Sequence, residues 1–286
     1  MKVGLIPVNI GVPNADAMVQ MAQTAEAAGF ESVWTFEHVI VPVDYKSKYP
    51  YSPTGKMGAA PETNFVDPLI ALTAVAAQTK KVRLGTGVNI LSQTNPLLLA
   101  KQAASLDFVS NGRFMLGVGI GWLQEEFVAM GTPFERRGAR FDDYVVAMKK
   151  VWSGNVVEHD SAFLNWHGFK SYPVPIQKPH VPIIIGGDKG KIYERIAKVG
   201  DGWYVPGGDP AVIAKQLAEL KSVCQSVGRN AREIEITTMW QPQSGIDVIK
   251  KLAEIGVARV TVVAMGGTDP LGSIKRLGDE VIAKVR

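Results

Sequence analysis

Leu116-Gly117-Val118-Gly119-Ile120-Gly121-Trp122 reads as an apolar strand that runs into a glycine-rich turn, with an amphipathic helical segment beyond it. Its glycines invite comparison with the dinucleotide fingerprint G-x-G-x-x-G, but the spacing excludes it. Counted from Gly117 the third glycine position holds Trp122, and counted from Gly119 it holds Gln124. What remains is a backbone without side chains at alternate positions, which lets a flat ring or a phosphate approach closely. A tight strand-to-helix turn with no ligand fits the same residues.

The alternation of strand and helix extends in both directions. Strand-like runs fall at residues 2–8, 31–36 and 82–90, then at 113–118 overlapping the quoted stretch, and then at 182–185, 202–205, 234–239 and 259–264. Each is followed by helical spacing, as Met18, Met21, Ala22 and Ala25 illustrate for the first. Four helices open alike, with a capping side chain and then proline at the first helical position: Asp67-Pro68, Asn95-Pro96, Asp209-Pro210 and Asp269-Pro270. Strands that are near-continuous in Val, Ile and Leu are buried on both faces, as in a parallel sheet covered by helices. Eight such units in 286 residues, slightly above the about 250 typical of that architecture, predict an α/β fold of the (β/α)8 TIM-barrel type. An open doubly wound sheet would place its glycine motif after the first strand, where this chain has Asn9-Ile10-Gly11-Val12-Pro13.

Two insertions interrupt the pattern within what reads as a single domain, residues 1–286. Residues 39–65, after strand two, carry Pro42, Pro50, Pro53 and Pro61 with Tyr45, Tyr49 and Tyr51, the composition expected of a lid. Residues 155–180, between helix four and strand five, include a short hairpin and then Pro173, Pro175 and Pro179. No window of about 18 apolar residues is present, and Met1-Lys2 leads straight into a strand, so a cytoplasmic protein with no membrane association is expected. Cys224 is the only cysteine, which excludes a disulfide framework and a thiolate metal site. The 31 basic and 27 acidic residues are interspersed, which argues against nucleic acid as a partner.

In a barrel of this kind the loops after the strands form the active face. There the sequence collects Glu37-His38, Gly87-Val88-Asn89, Gly119-Ile120-Gly121-Trp122, Gly186-Gly187-Asp188-Lys189, Tyr204, Trp240-Gln241 and Met265-Gly266-Gly267. With one histidine and no His-x-x-x-His, this set predicts no metal site, and without G-x-S-x-G it predicts no acyl-enzyme chemistry. A mouth poor in acid–base residues and rich in glycine suits a bound cofactor that carries the chemistry. Gly186-Gly187-Asp188-Lys189 follows a buried strand and precedes a helix, so it reads either as an anion site or as a helix cap by Asp188 with Lys189 solvated. Gly266-Gly267-Thr268 competes for the phosphate role. His38 reads either as a packed rim histidine or as a partner of a cofactor ring, and Trp122 either as core or as a pocket wall. Arg136, Arg137 and Arg140 form either a solvated helix start or a site for a polyanionic tail.

The chain resembles the bacterial luciferase-like monooxygenase family, most of all its coenzyme F420-dependent branch. The resemblance rests on residues 25–34, on Arg83-Leu84-Gly85-Thr86-Gly87-Val88, on Asn95-Pro96, on residues 112–122, on Arg137-Gly138-Ala139-Arg140, on Ile185-Gly186-Gly187 and on Gly200-Asp201-Gly202-Trp203. It implies a barrel that binds F420, or alternatively FMN, at the strand C-termini, usually as a homodimer. It further implies that Gly87-Val88 forms a bulge under the ring, commonly with a non-proline cis peptide, beside Asn89, Gly119, Ile120 and Gly121. Gly186, Gly187, Asp188 and Lys189 would hold the phosphate, and His38, preceded by Glu37, would sit by the reactive edge. Trp122 stands where F420-dependent sugar-phosphate dehydrogenases of the family carry a glutamate. The activity implied is hydride transfer between the (deaza)flavin and a small organic substrate bound against Trp122, Tyr45, Tyr49 and Tyr51. The alternatives are an FMNH2-dependent monooxygenase and a non-catalytic flavin-binding protein.

Overall fold

In the computed structural model, which describes residues 1–263 and 269–285, the strand–helix alternation closes on itself. β1 (Lys2–Leu5), β2 (Ser32–Thr35) and β3 (Arg83–Thr86) are separated by α1 (Ala15–Ala27) and α2 (Pro68–Gln78). A two-residue strand, β4 (Asn89–Ile90), resumes β3 beyond Gly87-Val88, and α3 (Pro96–Val109) leads to β5 (Phe114–Gly119). Two helices, α4 (Gln124–Ala129) and α5 (Arg137–Trp152), and an antiparallel hairpin of β6 (Val157–Asp160) with β7 (Asn165–Phe169) precede β8 (Ile183–Gly186). The chain then runs through α6 (Ile192–Val199), β9 (Gly202–Val205), α7 (Pro210–Ser226), β10 (Glu235–Trp240), α8 (Ile246–Glu254), β11 (Arg259–Val262) and α9 (Pro270–Leu277). Parallel neighbours follow the order β3-β2-β1-β11-β10-β9-β8-β5, and pairing of β3 with β5 shuts the ring. Among the described residues this is an eight-stave (β/α)8 barrel with the two insertions where the sequence places them.

All four Asp/Asn-Pro starts cap their helices. Asp67 accepts from the Leu69 and Ile70 N–H groups, Asn95 from Leu97 and Leu98, Asp209 from Ala211 and Asp269 from Gly272. Each supplies an acceptor to helix-start donors that no intrahelical carbonyl can reach. Two expected elements are broken. The run 82–90 is not one strand, because Gly87-Val88 interrupts it, and the helix expected over 271–285 passes at Gly278–Ile282 into a wider π-type turn. Gly278 lies there against α1, where an added Cβ would come within 2.9 Å of Ala28. Residues 264–268, including the competing phosphate turn, lie outside the described residues.

Alternation along the staves divides the core in two. Leu84, Phe114, Leu116, Ile183, Ile185 and Trp203 face the helices, whereas Trp34, Met115, Ile184 and Tyr204 fill the interior with Ile6. The interior holds few large side chains because small neighbours admit them, as small and large residues must alternate in a tapering barrel. A Cβ on Gly85 would lie 2.4 Å from the Trp34 ring. At the N-terminal end the fully buried Arg259 binds Glu31 through two hydrogen bonds (2.8 and 2.7 Å), Glu235 (2.6 Å) and Thr237 (3.1 Å), and lies over the Trp34 ring.

Candidate cofactor site

The C-terminal face is organised by one extra residue. β5 pairs with β3 at Leu84↔Phe114 and with β4 at Asn89↔Val118, so five steps on one stave match four on the other. This is a β-bulge, and it exchanges the faces of the residues beyond it. The Gly87-Val88 peptide inside the bulge is cis. The bulge sets Val88 in the barrel mouth between two glycine-bearing staves. A Cβ on Gly119 would lie 2.8 Å from Val88 Cγ2, and one on Gly186 2.7 Å from Val88 Cγ1. Gly117 is required for another reason: its Cβ would meet the Thr86 carbonyl at 1.8 Å, where Thr86 Oγ1 also donates to the Gly117 carbonyl. The space beside Gly121, with φ of 77°, is taken by Phe127 and Ile90. Gly119 and Gly121 therefore house protein side chains, Val88 above all, whereas Gly117 makes room for backbone.

A cavity of about 580 Å³ lies at the strand C-termini. Val88, Gly119, Ile120, Gly121, Trp122 and Gly186 line it, as do Gly187, Asp188, Lys189, Tyr49 and Tyr51. Gly87 also borders it, beside Tyr204. Asn89 does not line it: the bulge turns Asn89 outward, where its Nδ2 donates to Glu37 Oε1 at 2.9 Å, and brings Ile90 inward in its place. Glu37 likewise sits beside the cavity, its other oxygen accepting from the Ile90 N–H. Burial, against that hydrogen bond and together with the charges of Glu126 and Asp67, pushes the Glu37 carboxyl up to about 8.

His38 stands one layer behind the lining. Its ring meets Trp122 and Phe65 edge to face at centroid distances of 5.9 and 5.8 Å, and its Nδ1 lies 3.1 Å from Glu126 Oε2. Sequence reasoning missed Glu126, because a glutamate in the first turn of a short helix carries no signal that separates it from its neighbour Glu125. The lid wraps Trp122 in aromatic contacts, with Tyr49 at 5.1 Å and Tyr45 at 5.9 Å, and Tyr51 packs on Tyr49 at 5.6 Å. Tyr45 supports the lid without lining the cavity, its hydroxyl accepting from the Met57 N–H at 2.9 Å. Both carboxylates of α4 hold the lid backbone. Glu125 Oε1 accepts from Lys46 and Ser47 N–H at 2.7 and 3.2 Å, and Glu126 Oε1 from Val39 and Ile40 at 2.6 and 3.3 Å.

The cavity also carries cationic side chains. Lys48, Arg137, Lys189 and Arg195 line the cavity, and Asp188 is the acidic residue among its lining groups. The arginine trio divides: Arg137 reaches the cavity and donates to the Gly121 carbonyl, whereas buried Arg140 is spent on the carbonyls of Ser92, Glu135 and Pro133. Arg136 lies over the Phe163 ring. Gly187, with φ of 118°, directs its carbonyl to Trp203 Nε1 at 2.7 Å. α6 starts at Ile192 without a side-chain cap, so Asp188 does not serve as one. Instead Asp188 interacts with the Tyr51 hydroxyl and, with burial as the larger cause, raises that phenol above its ordinary range. Among the described residues no group of three or more His, Cys, Asp or Glu could hold a metal ion, and no helix is long and apolar enough to cross a membrane.

A family model described as luciferase-like monooxygenase matches residues 5–245. An uncharacterized protein of Mycobacterium tuberculosis is 31% identical over 277 residues, covering 93% of this chain and 95% of the relative. The 5,10-methylenetetrahydromethanopterin reductase of Methanolobus tindarius is 26% identical, covering 75% of this chain and 57% of the relative. The oxygenase component of a flavin-dependent trigonelline monooxygenase from Acinetobacter baylyi is 28% identical, covering 73% and 54% respectively. Among solved structures, an F420-dependent secondary alcohol dehydrogenase in complex with an F420–acetone adduct superposes with a TM-score of 0.80 at 16% identity, covering 100% of this chain and 99% of the other. That likeness bears on the fold.

Proposed function

Because the chain belongs to the luciferase-like monooxygenase family, we propose that it is an oxidoreductase that binds coenzyme F420 and exchanges hydride with a small organic substrate. The observation that carries the reading is the cavity itself, with an apolar ledge at Val88 and both aromatic lid residues and cations in its lining. The residues present fit such a group. Val88 and Ile120 offer an apolar bed, while Lys189, Arg137 and Arg195 suit an anionic end. Asp188 Oδ1, buried and without a hydrogen-bond partner, suits a polyol hydroxyl. The cofactor, when bound, supplies the hydride chemistry.

The chain's own residues do the rest. The Gly186–Lys189 turn and the two arginines hold the anionic end, and Trp122, Tyr49 and Tyr51 shield the cavity from water. His38 Nε2, which takes no protein partner among the described residues, is the nitrogen that holds or moves a proton. The substrate binds under the lid, against Trp122. FMN in a monooxygenase is the second reading, favoured by the similarity to the trigonelline enzyme. The protein acts in the cytoplasm as a homodimer, for which the exposed Ile70 on α2 and Leu98, Phe108 and Val109 on α3 supply an apolar face. Sedimentation at the monomer mass of 30.9 kDa would overturn that last element.

Titration of F420 and of FMN against tryptophan fluorescence tests the reading. One of the two is expected to bind with micromolar or tighter affinity, and Trp122→Ala to lose most of the signal change. Binding by neither would sink the proposal. Stoichiometric binding with an unchanged hydride-transfer rate in His38→Ala would instead favour a flavin-binding protein without turnover.

A further inference from the structure

We infer that Glu126 is a positioning residue with two dependents, the His38 imidazole and the root of the lid. The inference rests on the reading of His38 as the proton-handling group beside the cavity. Glu126 lies on α4, just beyond the turn that lines the cavity, and its side chain is 2% exposed. A carboxylate so far removed from water is tolerated only when its oxygens find donors. Oε1 takes the N–H groups of Val39 and Ile40, and Oε2 faces His38 Nδ1.

A carboxylate oxygen only accepts, so the proton between Oε2 and the ring belongs to Nδ1. Neutral imidazole has a single N–H, and Nε2 is therefore left with its lone pair. Phe65 and Trp122 meet the ring edge to face and fix its plane. Glu126 thus selects both the tautomer and the orientation in which Nε2 can accept a proton beside Trp122. The same carboxylate holds the first two residues of the lid, so a displaced lid root and a released histidine are one event. His38 is competent only while residues 39 and 40 are in place.

Histidine-selective 15N labelling of the protein without cofactor tests this, with His38→Ala to assign the resonances. In the wild type, Nδ1 of neutral His38 is expected to resonate as a protonated, pyrrole-type nitrogen and Nε2 as an unprotonated, pyridine-type one. Glu126→Gln keeps an acceptor for the lid N–H groups but turns an amide N–H toward Nδ1, and is expected to invert the tautomer. A wild-type proton on Nε2, or an unchanged tautomer in Glu126→Gln, would overturn the assignment. In the reconstituted enzyme the inversion is expected to lower kcat about a hundredfold, the low end of what general acid–base catalysis contributes, at unchanged cofactor Kd. A kcat equal to wild type would overturn the positioning role. Failure of both cofactors to bind speaks against the cavity reading alone, since the tautomer is read without cofactor and decides the Glu126 assignment either way.

Discussion

Val88 owes its position to the absence of its neighbours' side chains. Gly119 and Gly186 flank it at distances that no Cβ could share, so Gly186→Ala is expected to displace Val88 and destabilise the protein by about 1–3 kcal/mol, as overpacked cores are. Chemical denaturation should show that loss, and Val88→Ala in the same chain should recover part of it; additive losses would mean the two do not compete for space. Glu37 gives a residue-scale prediction with a pH signature. Its carboxyl rises from the ordinary 4.5 to about 8 on folding, so below 4.5 it is neutral in both states. Between those values the unfolded chain ionises first, and stability falls as pH rises, until the full penalty is reached above about 8. Glu37→Gln is expected to remove this slope, and urea midpoints that stay parallel from pH 5 to 9 would contradict it. That Gly119, Gly186 and Val88 lie at the barrel mouth was legible from the sequence. That the glycines serve the valine was not, because their clash partners lie on other staves. Asn89, expected at the cofactor from its place at a strand end and from the family resemblance, is turned away to Glu37 by the extra residue of the bulge, which no local signal announces.

The lid illustrates the limits of reading elements. Its existence and place follow from four prolines in residues 39–65, and the helix starts follow from Asp/Asn-Pro pairs whose effect is local. Local signals survive translation into structure. The anchoring of the lid does not, since it depends on α4 carboxylates 78 or more residues away along the chain. Burial alone would raise the Glu125 carboxyl, but hydrogen bonds from Ser47, from its own backbone and from Lys46 outweigh this and hold it at about 2. The closed lid is therefore favoured above the ordinary 4.5, and that preference fades as pH falls toward 2. At neutral pH Glu125→Ala is expected to speed proteolytic cleavage within residues 39–65 several-fold while the denaturation midpoint stays near wild type, because the strap contributes little to the global core. Unchanged cleavage would show that Glu126 and the aromatic contacts hold the lid alone.

At the scale of the molecule, the strand–helix period was enough to foresee the barrel, because every stave repeats the same two-sided burial. How the ring is plugged was not foreseen: Arg259 sits in an apparent apolar strand and gives no sequence sign of two carboxylate partners. Arg259→Met would leave Glu31 and Glu235, whose side chains are 24% and 28% exposed, without their shared buried partner, with an expected loss of about 1–3 kcal/mol. Equilibrium denaturation checks this, and adding Glu31→Gln with Glu235→Gln should return much of it. The bulge that joins β3 to β4 carries a different lesson, about counting. Elsewhere in the barrel a loop can gain or lose a residue and the staves remain as they are. Between Thr86 and Asn89 the number of residues is itself the specification. Shortening the chain there by one would yield a smoother, more regular third stave, with Ile90 turned out of the mouth and no valine ledge in it. The irregularity is thus where foldability and usefulness part company: the better-paired barrel would lack the ledge on which the proposed cofactor reading rests.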